Sequence, residues 1–542
     1  MTKAMTRIFE QASDGKLVNN SSGMLKRVGH TFVAFFFGQG IAIVASLLLV
    51  PLYLHVWSPA LYGEWLALYS VVAYVSSLDL GVQTYAVNRL TQAYARGDLQ
   101  EYRRVQHTSF AFYFCLALLG SVALAAFALW APIGPWFHVS LTDRVSVFWI
   151  VLLLGGQFLW TMPASLAWSV YATTGNLAKT QWVANASRTL SLALTMCALL
   201  LWPKLAVVAG AQAVGLLVTL AFVLWDLRKH FPQLAPGFSQ SSVSLLRPIL
   251  KQSVFFALID LAVGGTLQGS NLIVASVAGT AALAVFVTTR TLSNSIRQLV
   301  GLFVHSSSTN LTVLEAMPDK RKLRLAFRLV VFATVAGCVA VSASLWFEGT
   351  SVFTAWTRGR LPVDTWLLRA FLLWLVLQSP WIAASAIPSY TNKHKSLTMS
   401  YLASSFGGLL LGIAFVPRFG LKGLPIAFIV AEAAACYQFV LRDACRIIGE
   451  DYVRFARKLW LGVAIVSGSA FCATWSVHSV PGIGTFQRWV LSGCASMTAV
   501  ALSTWAFWLR EEERSFFRRK TGSGLRMIEQ ALPLRAASTR AS

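Results

Sequence analysis

The sequence predicts an all-α, polytopic membrane protein of about 14 transmembrane helices, built as two pseudo-symmetric six-helix lobes followed by two further helices. Three observations lead there. Of 542 residues, 56% are hydrophobic and only 12% charged, well below the roughly 25% charged residues of a soluble domain, so lipid must solvate most of the chain. Apolar runs of roughly 20 residues, enough for a hydrocarbon core of about 30 Å, recur along the whole length. Features that follow the early runs also return, in the same order, after later ones.

Residues 1–31 form a polar, basic N-terminal segment. The first apolar run is too long for a signal-peptide core, so no cleavage is expected. The first lobe covers 32–226, with helices at 32–56, 62–88, 108–131, 145–172, 183–202 and 204–226. The second covers 250–441, with helices at 250–276, 281–309, 325–346, 365–389, 397–416 and 421–441. Helices at 458–478 and 487–509 follow, then a basic tail at 510–542.

Charge fixes the orientation. Of 45 Lys and Arg, 34 fall in one alternating set of segments, 7 in the other, and the remaining 4 (Arg188, Arg290, Arg297, Arg369) within spans. Positively charged loops stay on the cytoplasmic side, so both termini are expected there, in a bacterial inner (cytoplasmic) membrane. The formal net charge of +24 is thus a topology signal; with no basic patch interleaved with aromatics, a nucleic-acid partner is not expected. Trp57, Trp130, Trp202, Trp225, Trp346, Trp460 and Trp508 lie near the expected helix ends, as interfacial aromatics do.

The repeat is carried by three matches. Ala95-Arg96-Gly97-Asp98 after the second helix pairs with Met317-Pro318-Asp319-Lys320 after the eighth. Pro163 and Tyr171 in the fourth pair with Pro380, Pro388 and Tyr390 in the tenth. Leu201-Trp202-Pro203-Lys204-Leu205 pairs with Val416-Pro417-Arg418-Phe419-Gly420. Parallel six-helix repeats are a transporter architecture, with substrate held between the halves near the midplane.

No phosphate-cradling glycine loop, dinucleotide fingerprint or zinc-protease motif occurs, so neither ATP hydrolysis nor a cofactor is expected. The seven cysteines show no metal-ligand spacing and read as small core residues. What remains is ionisable chemistry inside spans. In the eighth helix, Arg290, Asn294, Arg297, Gly301, His305 and Ser308 share one stripe, while Leu292, Ile296, Leu299 and Phe303 lie opposite. An arginine at bilayer depth costs on the order of 3 kcal/mol, so two on one stripe imply a water-filled cavity or a bound anion. Their alternative is a buried ion pair with Asp79 or Asp260. Arg188 lies in the fifth helix; Arg369, one turn from an outer end, reads as a side chain reaching for headgroups. Asp79, Asp260 and Glu432 read as charge partners or as proton- or ion-coupling carboxylates. Pro51, Pro163 and Pro380 kink their spans, and Gly265-x-x-x-Gly269 and Gly408-x-x-x-Gly412 allow close helix approach.

Pro51-Leu52-Tyr53 closing the first helix, Tyr62-Gly63-Glu64-Trp65 opening the second, then Leu78-Asp79-Leu80-Gly81-Val82 and Ala95-Arg96-Gly97-Asp98, resemble the polysaccharide exporters and O-antigen flippases. These are one branch of the multidrug, oligosaccharidyl-lipid and polysaccharide exporter superfamily. The resemblance implies two lobes opening alternately to the two sides of the membrane. It also implies a lipid-linked oligosaccharide as partner, beside membrane lipids and a polysaccharide polymerase with its chain-length machinery. The chain departs from the superfamily's twelve-helix drug extruders in its two extra helices and in lacking an acidic residue in helix one. It departs from the lipid II flippases in lacking arginines there, so only a cationic cavity carries over, to Arg290 and Arg297 and then Arg188. The expected function is translocation of an undecaprenyl-diphosphate-linked O-antigen or exopolysaccharide unit; the chain is not read as an enzyme. The rivals are an ion-coupled drug or metabolite extruder of the same fold and, ranked last, a membrane-embedded polysaccharide polymerase or ligase using Arg358 and Arg360.

Overall fold

The computed structural model describes residues 21–74, 82–316, 320–390, 395–509, 511 and 513–515. It describes their side chains apart from 21–29, 31–32, 84, 251–257, 259–260, 300–316 and 390. The regular elements among the described residues are all helices, with no strand. In order the helices are α1 (Ser21–Val56), α2 (Pro59–Ala73), α3 (Val82–Ala95), α4 (Leu99–Trp130), α5 (Ile133–Phe137), α6 (Arg144–Trp168), α7 (Val170–Thr173), α8 (Leu177–Leu201), α9 (Leu205–His230) and α10 (Val243–Gly264). After a π-helical turn, Gly265–Gly269, come α11 (Ser270–Ala316), α12 (Lys320–Thr357), α13 (Thr365–Ala384), α14 (Ala386–Tyr390), α15 (Lys395–Phe419), α16 (Gly423–Ala435), α17 (Phe439–Ile448), α18 (Tyr452–His478) and α19 (Thr485–Ser503), which ends in a second π turn, Thr504–Trp508.

Eleven of these are long and apolar enough to cross a membrane, or twelve if the pair α16–α17, bent by 42°, counts as one span. Three features account for the difference from the fourteen that composition predicts. The second span falls on α2 and α3, with 75–81 between them outside the described residues. The seventh and eighth run together as Leu261–Leu299, broken only where Gly279 takes φ 83° and ψ 174°, a conformation that side-chain-bearing residues rarely adopt. The twelfth is bent.

Capping residues set the starts. Ser58, Asp98, Asn176, Asp364 and Asp451 each accept a hydrogen bond from a backbone N–H of the first turn that follows, replacing a partner that helix geometry leaves out. Asp143 does the same for Ser146, and these bonds hold its carboxyl below the usual carboxylate range. The Ala95-Arg96-Gly97-Asp98 turn is therefore a cap, tightened by Glu101 accepting from Arg89 at 3.1 Å and Arg96 at 2.7 Å. The proline repeat is also local structure. Six residues after Pro163 the helix breaks at Ser169, and five after Pro380 at Ser385. Each serine hydroxyl bonds the carbonyl three residues back at 2.7 Å.

The chain packs as two compact units. The first holds the described residues of Met1–Gln298, Trp356–Pro362 and Tyr401–Phe428; the second holds those of Leu299–Ala355, Val363–Ser400 and Ile429–Ser542. In the first, a core forms around Leu90, Tyr102, Tyr113, Tyr171 and Leu227; in the second, around Phe327, Val331, Phe455, Leu459 and Trp508. Trp57 and Trp508 are core residues at 3% and 1% exposure rather than interfacial ones, whereas Trp130, Trp202 and Trp225 are exposed as expected. Of the cysteines, Cys338, Cys436 and Cys445 are buried, but Cys115, Cys197, Cys472 and Cys494 lie on exposed faces. On a lipid-facing helix a thiol is simply a small apolar group.

Candidate functional site

The π turn before α11 builds the site. Winding one extra residue into the helix shifts the backbone bonding pattern and leaves a carbonyl available for another donor. Arg290 takes that opportunity: its Nη1 donates to the Leu267 carbonyl at 3.0 Å. Its Nη2 donates to Asn271 Oδ1 at 2.9 Å, and its charge lies 5.4 Å from the centre of the Phe286 ring. Asn271 is oriented in turn by donating to Ser70 Oγ of α2 at 2.8 Å. The Gly265-x-x-x-Gly269 spacing is thus the π turn itself, where Gly269 lies close to the Tyr74 hydroxyl and Leu409.

Arg290 is 8% exposed and does not stand in open solvent. The partners the structure gives it are a carbonyl, an amide and an aromatic ring, all neutral. Arg297, two turns on and half-buried, adds a like charge that acts on it. A guanidinium has five N–H donors and cannot lose its charge; two are occupied here. Asn294 lies between the two arginines, also half-buried. Gly301, His305 and Ser308 continue the stripe on α11, but their side chains are outside the described residues.

The other expected groups are distributed. Arg188 stands exposed at the middle of α8 and is not gathered at Arg290. Asp79 lies outside the described residues, and so does the side chain of Asp260 on α10. Glu432, on α16 in the second unit, is 5% exposed. It accepts from the indole N–H groups of Trp374 and Trp381, both at 3.0 Å.

Sequence reasoning passed over Asn271, although an amide inside an apolar run was the available signal. It also quoted Glu64 without a role. Glu64 is fully buried and accepts from the Ser140 and Leu141 backbone at 2.7 Å and from the Thr142 hydroxyl at 2.6 Å. It therefore pins the loop between α5 and α6 onto α2. Beside it, Gly63 lies against the Thr280 backbone carbonyl with no room for a Cβ. The motif Tyr62-Gly63-Glu64-Trp65 is a packing joint.

No family model and no curated protein sequence matches the chain. Among solved structures, it is similar to the lipid II flippase MurJ in an inward closed conformation (TM-score 0.67, 12% identity, covering 88% of this chain and 97% of that one). It is also similar to an inward-facing multidrug resistance MATE family transporter of the MOP superfamily (TM-score 0.63, 15% identity, covering 75% and 95%), and to a MATE protein in complex with MaL6 (TM-score 0.58, 14% identity, covering 78% and 96%). The chain thus has the fold that these MATE transporters and this lipid II flippase share. It is a multi-pass membrane protein whose structural neighbours are transporters and not enzymes.

Proposed function

We propose that this chain is a flippase that carries an undecaprenyl-diphosphate-linked oligosaccharide from the cytoplasmic to the outer leaflet of a bacterial inner membrane by alternating access. The observation that carries the reading is Arg290: a guanidinium buried to 8% exposure whose described partners are all neutral. Burying an ion without an opposite charge costs several kcal/mol. A diphosphate would offset that cost, and guanidinium groups grip phosphate oxygens in bidentate fashion. Arg290 and Arg297 are the diphosphate ligands in this reading, Asn294 lies between them for a sugar or phosphate oxygen, and Arg188 guides the charged head along α8.

Two observations support a lipid tail. In the second unit, a groove of about 560 Å³ runs between α12 and the end of α19, lined by Gly337, Val341, Met497, Ala501 and Trp505. Its walls are apolar and suit a prenyl chain. The likeness to the lipid II flippase also extends over 88% of the chain, against 75% for the multidrug transporter, as two helices beyond twelve would produce. Moving two negative charges outward against 100 mV, negative inside, gains about 4–5 kcal/mol. Both termini are cytoplasmic in this reading, and the polymerase and chain-length machinery act on the delivered product.

The test is polysaccharide export in cells carrying Arg290→Ala and Arg297→Ala together, with membrane levels of the protein measured alongside. Export is expected to stop while the protein remains in the membrane. Normal export would remove the site. Ion-coupled dye efflux with unchanged surface glycans would place the chain with the extruders. Restoration of export on adding Asp260→Asn or Asp79→Asn to Arg290→Gln would make the arginine one half of an ion pair.

A further inference from the structure

We propose that Arg369, with Trp346 and Trp366, forms a binding site for the phosphate of a membrane lipid headgroup in the second unit, on α12 and α13. The Arg369 charge lies 5.4 Å from the centre of the Trp346 ring and 5.3 Å from that of Trp366. Trp346 also meets the Phe471 ring of α18, edge-on with ring centres 6.3 Å apart. Trp366 is 61% exposed and reaches outward.

These ring contacts hold the guanidinium in place without using its N–H groups. The Nε–H is buried and has no hydrogen-bond partner. The nearest acid in sequence, Asp364, is directed elsewhere: its Oδ1 accepts from the Leu367 backbone N–H at 2.9 Å. Arg369 is the fifth residue of α13, so it adds positive charge near a helix N-terminus, where the backbone dipole disfavours a cation and favours an anion. The chain thus fixes a planar donor near a helix end that favours an anion.

Placement selects the anion. Both helices are candidate spans, Lys320–Thr357 and Thr365–Ser389. Arg369 is four residues, about 6 Å, inside the start of the second. From the first turns of a span a long side chain reaches the headgroup phosphates, and tryptophan rings concentrate near that end. A lone cation reaching for headgroups needs only its charge. A guanidinium fixed between two indoles presents a planar fork, which a phosphate diester fills with two oxygens. The site concerns a resident lipid and does not depend on what the protein transports.

Native mass spectrometry of the full chain, titrated with phosphatidylglycerol, tests the assignment. Arg369→Gln is expected to weaken the tightest bound lipid by about tenfold, and Arg369→Lys by about three- to fivefold, because the point charge survives but the planar fork does not. Trp346→Leu is expected to fall between them, with the melting temperature of the lysine variant unchanged. Equal lipid binding by wild type and Arg369→Gln would overturn the site. Full retention by Arg369→Lys would reduce it to a headgroup-seeking charge. Displacement of the lipid by millimolar inorganic phosphate would assign it to a soluble anion instead.

Discussion

Two arginines, one in each unit, are buried to the same 8% exposure and are treated in opposite ways. Arg328 in the second unit donates to Glu450 and lies 3.5 Å from Glu513, which is fully buried. Its charge is cancelled within the fold, tying α12 to the turn before α18 and to the segment after α19. Arg290 in the first unit receives a carbonyl and an amide. Neutral dipoles orient a cation but leave its charge in place. An internally neutralised arginine is explained by architecture, whereas one whose partners among the described residues are all neutral has room for the anion proposed above.

The largest effects should separate the two on stability. Arg328→Met leaves Glu450 and Glu513 buried together without their cation, and unfolding in detergent is expected to come earlier by about 3–5 kcal/mol. Adding Glu450→Gln should recover part of that. Arg290→Met removes a charge that nothing described cancels, so its stability should stay within about 1 kcal/mol of wild type or rise. Its transport should fall by about a hundredfold or more in reconstituted vesicles, as expected when a bidentate contact to a phosphate is removed. An Arg290 variant that unfolds as readily as the Arg328 variant would erase the contrast.

Intermediate effects belong to the joint at Glu64. Glu64→Ala strands two backbone N–H groups and a hydroxyl that now bond one carboxylate, at an expected cost of about 2–3 kcal/mol in thermal unfolding. Gly63→Ala forces a methyl group into the Thr280 carbonyl and should cost about 1–3 kcal/mol. Both should leave substrate selectivity unchanged, because neither residue touches the Arg290 network.

These residues also show what a sequence can carry. Capping side chains, the serine breaks after Pro163 and Pro380, and the sharp turn at Gly97 act within a few positions, so local pattern can carry them, although Ala95-Arg96-Gly97-Asp98 reads from sequence as a repeat and not as a cap. The stripe of Arg290, Asn294 and Arg297 is legible for the same reason, since helical period fixes it. Its partners are not. Arg328 meets Glu450 across 122 positions, and His478 meets the buried Glu348 across 130, at 2.9 Å. Composition shows each charge but never its counterpart. Trp57 and Trp508 mislead by the same limit: an indole near a helix end sits at the interface or in the core according to which distant helix covers it. Trp57 is covered near Pro203, whose carbonyl accepts its N–H at 2.6 Å. Trp508 packs on Phe332, with ring centres 4.6 Å apart.

The smallest expected effect tests the mirror image of Arg290 within the second unit. Glu432 is an acid that accepts from two neutral donors, one indole on each oxygen, much as Arg290 is a cation that donates to two neutral acceptors. In Glu432→Gln the side-chain carbonyl can keep one indole, while the amide NH2 turns a donor toward the other. One hydrogen bond is lost and one N–H is stranded, for about 1–2 kcal/mol in thermal unfolding. A structural clamp predicts transport that tracks this modest loss and the same dependence on external pH as wild type. A carboxylate that takes up a proton during the cycle predicts instead that Glu432→Gln flattens the pH dependence while the fold stays intact. Measuring transport at several external pH values in both proteins decides between the structural clamp and the proton-accepting carboxylate.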